Sequence, residues 1–421
     1  MSDSYSYRYF KYYFYFWSGQ LSSLLGSIVV QFVIIWWITV ETQSVLILSI
    51  SSFLYFLPQV IFTPIAGVLI DRWDRKKLII LVDSSQALLT FVLILLNNLL
   101  SGITGVILII GINSFRGICQ AFHYPAINAV IPTMVPREKL SRINGLNSTF
   151  NQIIQIIGPA VAGILLSIFP LHYVLYIDII TFFIAFTILI MIKLPIPEHE
   201  KQRKESKFYN EFKQGFRIVK EMPIILMLIV LFMGLNFLLQ PISVLFSYFV
   251  NVTHRGSVFD YAIIMILFNF GFFMGGILMT IKKQWKNKIK SIFLSISFVL
   301  IGYFFLSISP KHAYLYIGLV FAFMGFNLPI TNSLFQTLLQ TKVPRDKFGR
   351  VFSIYVAFSW LITPLGKLSV GFIGEIISIE NVFLYCSFFG ISLLSIIYYV
   401  LHLKRNKKDL TIILTESSIN T

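Results

Sequence analysis

The sequence predicts an all-α integral membrane protein with twelve transmembrane helices in two pseudo-symmetric six-helix bundles. Three observations carry that expectation. Of the 421 residues, 57% are hydrophobic and only 12% are charged, about half the charged fraction of a soluble domain. Twelve continuous apolar runs reach the roughly 20 residues that a helix needs to cross the hydrocarbon core. Basic clusters stand at every second connection, as expected of a chain threaded back and forth across a bilayer. Long unbroken runs also exclude a β-barrel, whose strands alternate in short segments.

The elements follow in order. Arg8 and Lys11 precede span 1, near 12–40. That run exceeds the roughly 7–15 apolar residues of a signal peptide and shows no convincing cleavage site, so it reads as a span rather than a leader. Span 2 lies near 45–70, and Arg72, Arg75, Lys76 and Lys77 separate it from span 3, near 78–97. Span 4 (104–131) leads through Arg137, Lys139 and Arg142 into span 5 (142–168), and span 6 follows at 172–194. A polar connector, 195–221, holds two prolines and the amphipathic stretch FYNEFKQGFRIVKEM. Spans 7 to 12 lie near 222–250, 259–281, 291–308, 312–338, 349–377 and 381–403. The expected organisation is a first bundle at 1–194, a cytoplasmic linker at 195–221, a second bundle at 222–403 and a cytoplasmic tail at 404–421.

Of the 34 Lys and Arg residues, 30 fall on one side of this threading. The other side holds Arg255 and Lys311, while Arg116 and Lys367 lie within spans. The positive-inside rule then predicts that both termini are cytoplasmic. It also absorbs the net charge of +16, which reads as a topology signal with contact to anionic lipid rather than as a nucleic-acid surface. Cys119 and Cys386 form no CxxC pair, so neither a disulfide framework nor a zinc site is expected.

The halves repeat. VPREKLSR (135–142) follows span 4 and VPRDKFGR (343–350) follows span 10, an offset of 208 residues that also maps Gly158 onto Gly366 and Gly163 onto Gly371. Duplication of a six-span unit is a mark of transporter scaffolds.

GVLIDRWDRKK (67–77), after span 2, resembles the signature of the major facilitator superfamily, a glycine followed by D-R-x-G-R-[KR]. Asp74 stands where the general pattern has glycine, and this variant resembles exporters of the macrolide-efflux type. RGICQAFHYPAINAVIP (116–132) in span 4 resembles the same branch through Arg116, Ile118, Ala121, Phe122, His123, Pro125 and Ala126. GPAVAG (158–163) resembles the glycine–proline motif associated with antiporters of the superfamily. The I-D string of span 6 and FGRVFS (348–353) extend the likeness. The resemblance implies the major facilitator fold and proton-coupled export of bulky amphipathic compounds such as macrolide-type drugs. Its partners would be a small amphipathic substrate, protons and membrane lipid, with no cofactor beyond the proton gradient. A monomer in the plasma membrane is expected. Export of an endogenous lipid-linked or siderophore-like molecule stays open beside it, as does a receptor or membrane enzyme on the same scaffold.

The residues themselves suggest roles. Gly67, Asp71, Arg72, Asp74 and Arg75 form a candidate cytoplasmic gate, with Asp71 facing the start of span 11 and Arg75 pairing with an acid such as Asp83; simple positive-inside anchoring is the other reading. Arg116, Asp178 and Glu375 are candidates for proton coupling, because an intramembrane charge is costly unless it has a partner or a task. A buried Arg116–Asp178 pair of purely structural role is the alternative. Gly158, Pro159 and Gly163 form a candidate hinge of close-packed, kinked helix. Gln31, Asn236, Gln240 and Lys367 are candidate cavity residues. PLGKLS around Lys367 lacks the first glycine of a phosphate-binding loop, since position 361 is Leu, so ATP-driven pumping is not expected. No metal-binding motif appears.

Overall fold

A computed structural model of the chain describes residues 3–96, 102–192, 194, 208–282 and 284–417. Twelve of its helical segments are long and apolar enough to cross a membrane. The first bundle comprises α1 (Asp3–Thr42), α2 (Val45–Arg72), α3 (Arg75–Leu95), α4 (Gly102–Met134), α5 (Arg137–Ile168) and α6 (Leu171–Met191). In the connector, 195–207 lie outside the described residues, and the amphipathic stretch forms α7 (Phe208–Glu221). The second bundle comprises α8 (Pro223–Leu238), α9 (Gln240–Tyr248), α10 (Val258–Ile281), α11 (Lys288–Ser307), α12 (Tyr314–Lys342), α13 (Arg345–Ile376) and α14 (Ile379–Ser417). The last helix runs past 403, where the sequence suggested a tail.

Local chemistry sets the boundaries. Pro136 and Pro344, equivalent in the repeat, hold extended backbone just before α5 and α13. Trp73 is extended after α2, and Asp74 then caps α3, its carboxylate accepting from the backbone N–H groups of Lys76 and Lys77. An N-cap of this kind contributes about 1 kcal/mol. The sequence reads span 7 as one helix, and here the structure differs. Pro241 has no N–H to continue the ladder, so α8 ends at Leu238, α9 begins at Gln240, and a π turn over Phe249–Thr253 completes the span. The Tyr303 hydroxyl donates to the Leu238 carbonyl at 2.5 Å, covering a polar group exposed by the break.

The apolar core is shared at one end of the molecule and divided at the other. One cluster joins Val33, Ile38 and Leu48 of the first bundle to Leu245, Phe249, Val370 and Phe383 of the second. Two further clusters lie toward the basic connections. One is built from the first bundle alone, around Tyr13, Ile70, Ile79 and Met134. The other lies in the second bundle with α7, around Phe232, Phe335, Leu339 and Val351.

Hydrogen bonds follow the same pattern. Among the described residues, those joining the bundles are Thr39–Ser247, Ser44 and Leu46 to Glu375, and Ser49 to Lys367, all toward the non-basic end. Thr39 and Ser247 are 208 residues apart, the repeat offset, so this 2.7 Å contact joins equivalent positions of the two halves. The glycines report the same splay. A Cβ on Gly371 would stand 2.5 Å from Ser49 Cβ, one on Gly374 would stand 2.5 Å from Val45 Cγ1, and one on Gly163 would run into Ala262. At the basic end of the same four helices, a Cβ on Gly67, Gly145, Gly276 or Gly349 would meet nothing within 4 Å. The bundles are therefore closed at the non-basic end and open at the basic end.

His254 follows the π turn at the closed end and is 1% exposed. Its Nε2 lies 3.1 Å from Ser309 Oγ, and its carbonyl accepts from the Tyr314 hydroxyl. Burial pushes its imidazole below the usual value, and the Lys311 charge adds to that.

Two outcomes are expected. Gly371→Leu should wedge α2 from α13; spin labels on Gln43 and Ser378, with both cysteines replaced, should then report a longer distance than in the parent. The unfolded chain protonates His254 near pH ~6.5 and the folded chain only below that. Its contribution to stability is thus complete above that pH and is lost as pH falls from there through the lower folded value. His254→Gln should flatten the acid side of a plot of thermal midpoint against pH.

Candidate functional site

Helices α3, α4 and α6 meet inside the first bundle along a seam of polar side chains. On α3, Asp83, Gln86 and Thr90 are all buried, and their i, i+3, i+7 spacing sets them on one face. On α4 the buried polar residues are Asn113, Arg116 and His123, and on α6 Asp178 and Thr181. Gly26 of α1 closes the fourth side, where a Cβ would run into Thr181 and Asp178.

Arg116 is the centre of the seam. Its Nη1 lies 3.3 Å from Asp178 Oδ2 and donates to Thr90 Oγ1 at 2.6 Å and to the Gln86 carbonyl at 3.3 Å. Thr90 in turn donates to the same Asp178 oxygen. The side chains of Arg116 and Asp178 are 4% and 7% exposed. At such burial each charge needs the other, because an unpaired ion carries a desolvation penalty of several kcal/mol. Ser27 of α1 donates to Gln86 Oε1 at 3.4 Å and ties the seam to the next helix.

Nearer the basic end, His123 Nε2 lies 2.8 Å from Asp83 Oδ1. The ring is not turned for a straight hydrogen bond, and Nε2 has no well-aligned partner. Asp83 therefore faces His123 rather than Arg75, the partner the sequence suggested. Arg75 donates to the Ala129 carbonyl at 2.7 Å, and Lys76 reaches the Ile190 and Ile192 carbonyls at the end of α6. A cation there suits the negative end of a helix dipole. With Asp74 capping α3, this part of the motif binds the start of α3 to α4 and α6. The side chains of Asp71 and Arg72 lie outside the described residues.

The remaining candidates separate. Glu375 is exposed and accepts from Ser44 Oγ at 3.1 Å and from the Leu46 N–H at 3.2 Å, holding the first turn of α2. Neither Arg116 nor Lys367 is its partner. Gly158 packs on Ile28 of α1, Pro159 lies inside α5, and Gly163 meets α10 across the bundle boundary. Gln31 is half-buried on α1. Asn236 lines a small cleft inside the second bundle with Tyr303, Thr331 and Asn332. Gln240 is buried, donates to the Asn236 carbonyl at 2.7 Å and packs on Gly366. Lys367 is 4% exposed; its Nζ donates to Ser243 Oγ at 2.7 Å and stands 4.5 Å from the centre of the Phe56 ring.

Reading the sequence alone missed Gln86, Thr90, Ser243 and Phe56. The first two carried a signal, polar residues on one stripe of an apolar helix. The last two carried none, since serines and phenylalanines recur in most spans.

The sequence profile of the Major Facilitator Superfamily matches residues 16–366. Macrolide efflux protein A of Streptococcus pyogenes is 30% identical over 368 residues, covering 87% of this chain and 90% of that protein. Its namesake from Enterococcus faecalis is 29% identical, covering 77% and 99%. The crystal structure of the nucleoside transporter NupG superposes with a TM-score of 0.73 at 12% identity, covering 92% and 98%. At that identity the likeness is one of fold.

Arg116→Met alone should strand the buried Asp178 carboxylate and lower stability by about 3–5 kcal/mol. Adding Asp178→Met should recover most of that loss. Unfolding of both variants in detergent micelles checks the pair.

Proposed function

The chain belongs to the major facilitator superfamily and is a multi-pass membrane transporter; from that premise we propose that it is a secondary exporter of bulky amphipathic compounds of the macrolide type, driven by proton antiport. The observation that carries this reading is a pair of bundles sealed at one end only, in a chain whose full-length relatives bear the name of macrolide efflux.

The basic end is taken as cytoplasmic by the positive-inside rule, with both termini there and the protein in the plasma membrane. The conformation is then inward-open. Substrate enters between the bundles from the cytoplasm or the inner leaflet. Rocking of the bundles breaks the seal made by Gly163, Gly371, Gly374 and Glu375 and forms a new one near Gly67 and Gly349. An aromatic interior, with 42 Phe and 20 Tyr in the chain, suits large apolar ligands by area and cationic ones by the ring faces. The transporter acts as a monomer and needs no cofactor beyond the proton gradient.

Asp178 is the acid proposed to exchange protons. It has a permanent cation beside it and a hydroxyl that can donate or accept, so either protonation state keeps a hydrogen-bond partner. The drug-dependent step is proposed to change access to this seam from the open end.

Purified protein in vesicles holding a pH-sensitive dye tests the reading. Addition of macrolides or lipophilic cations under a proton gradient should drive proton flux, and Asp178→Asn should abolish it. Flux that survives the substitution places coupling at another group. The absence of flux with every compound overturns the efflux reading.

A further inference from the structure

Lys367 is a cation buried at the boundary between the bundles, and among the described residues no carboxylate lies within ion-pair distance of it. Arg116 has Asp178; Lys367 has a hydroxyl and an aromatic face. Its partners come from both sides of the moving boundary, since Phe56 belongs to α2 of the first bundle and Ser243 to α9 of the second. Its own carbonyl accepts from Ser49 of α2. Gly371 and Gly374 close the seal one and two turns further toward the non-basic end. Lys367 thus lies just beneath the seal, and Ser243 beside it is exposed.

Among the described residues, no charge faces it from the elements packed on α13. From α2 come Phe56 and Ser49, and α8 carries no titratable residue. The only titratable side chain of α9 is Tyr248, near its far end. Arg217, Lys220 and Glu221 of α7, Lys342 of α12 and Glu380 of α14 stand at the ends of their helices. On α14 the titratable groups with described side chains inside the helix are Tyr385, Cys386, Tyr398 and Tyr399, and on α12 Tyr314 and Tyr316 begin the helix. Glu375 lies two turns along α13 and is engaged with the start of α2.

An ammonium on the face of an aromatic ring occupies the place that a cationic ligand would use. We propose that Lys367 is a built-in competitor for a cationic substrate: charged, it fills the Phe56 face and repels a second cation; neutral, it yields that face to the substrate. This rests on the efflux reading and specifies its substrate as a lipophilic cation. Proton and substrate then exclude one another at one point beneath the seal. The exclusion needs no direct link to Asp178, which stays within the first bundle with partners on α3 and α4. A lysine suits the task because an ammonium can release its proton, whereas a guanidinium does not in proteins.

The test is equilibrium binding of tetraphenylphosphonium, whose charge does not titrate, to the full chain in lipid nanodiscs from about pH 6 to about pH 9. Parent affinity should rise on the order of tenfold across that range, the scale of a like-charge contact in a partly screened site. Lys367→Met should bind tightly at every pH and Lys367→Arg weakly at every pH. Monodisperse elution shows that each variant is folded, and the arginine variant retains the charge if the methionine variant fails. A Met or Arg variant whose affinity follows pH as the parent's does overturns the role of Lys367 and leaves efflux standing. A parent that exports neutral amphipaths but binds no cation overturns this inference alone. A parent that neither binds nor exports any compound overturns the efflux reading and this inference with it.

Discussion

A guanidinium that cannot lose its proton lies inside a six-helix bundle, and the surrounding residues are arranged to hold it there. Arg116 takes a carboxylate from α6, a hydroxyl and a carbonyl from α3, and close approach by α1 at Gly26. In a medium that cannot solvate an ion, these contacts supply what water would supply elsewhere. The consequence is geometric. Four helices must keep register with one another at this level, so the first bundle is constrained to move as one piece.

The second bundle is built without that constraint. The repeat offset puts Met324 where Arg116 stands and Cys386 where Asp178 stands, and both belong to apolar packing. In place of an ion pair it has a broken helix, aromatic stacks such as Phe232 on Phe335 at 3.8 Å, and a cleft beside Asn236. Among its described residues the one deeply buried lysine or arginine, Lys367, faces the boundary rather than the bundle's own interior. One duplicated scaffold has thus placed a fixed charge centre in one half and an adaptable apolar interior in the other. Rigidity in one bundle and a mouldable wall in the other suit a protein that must move as two bodies and accept bulky ligands.

Much of this was legible beforehand because membrane burial simplifies the code. Hydrocarbon thickness makes spans readable by length, and loop charges make threading readable by sign. The repeat revealed the halves. Arg116 and Asp178 stood out because charges are rare in spans, and their pairing was one of two readings on offer. Asp74 looked like a departure from a motif until its carboxylate was seen capping α3. The break at Pro241 was visible only as a proline in a long apolar run, which elsewhere in this chain, as at Pro125 or Pro329, leaves the helix continuous. Which end is closed depends on contacts between glycines and residues about 100 to about 330 positions away, and no local pattern encodes that distance. The pairing of Asp83 with His123 was hidden for the same reason.

The hydroxyl contact between Thr39 and Ser247 has a meaning beyond closure. Where equivalent positions of a repeat meet, the chain touches its own copy, as two subunits do on the axis of a symmetric dimer. Only self-complementary chemistry is stable there. Two lysines or two aspartates would repel. A hydroxyl both gives and accepts, so a pair of them closes with either orientation. The halves have been free to diverge almost everywhere, one gaining its ion pair and the other its cleft. At this point they still obey the rule of a two-fold axis, and the single chain closes on itself there with the chemistry of a symmetric dimer.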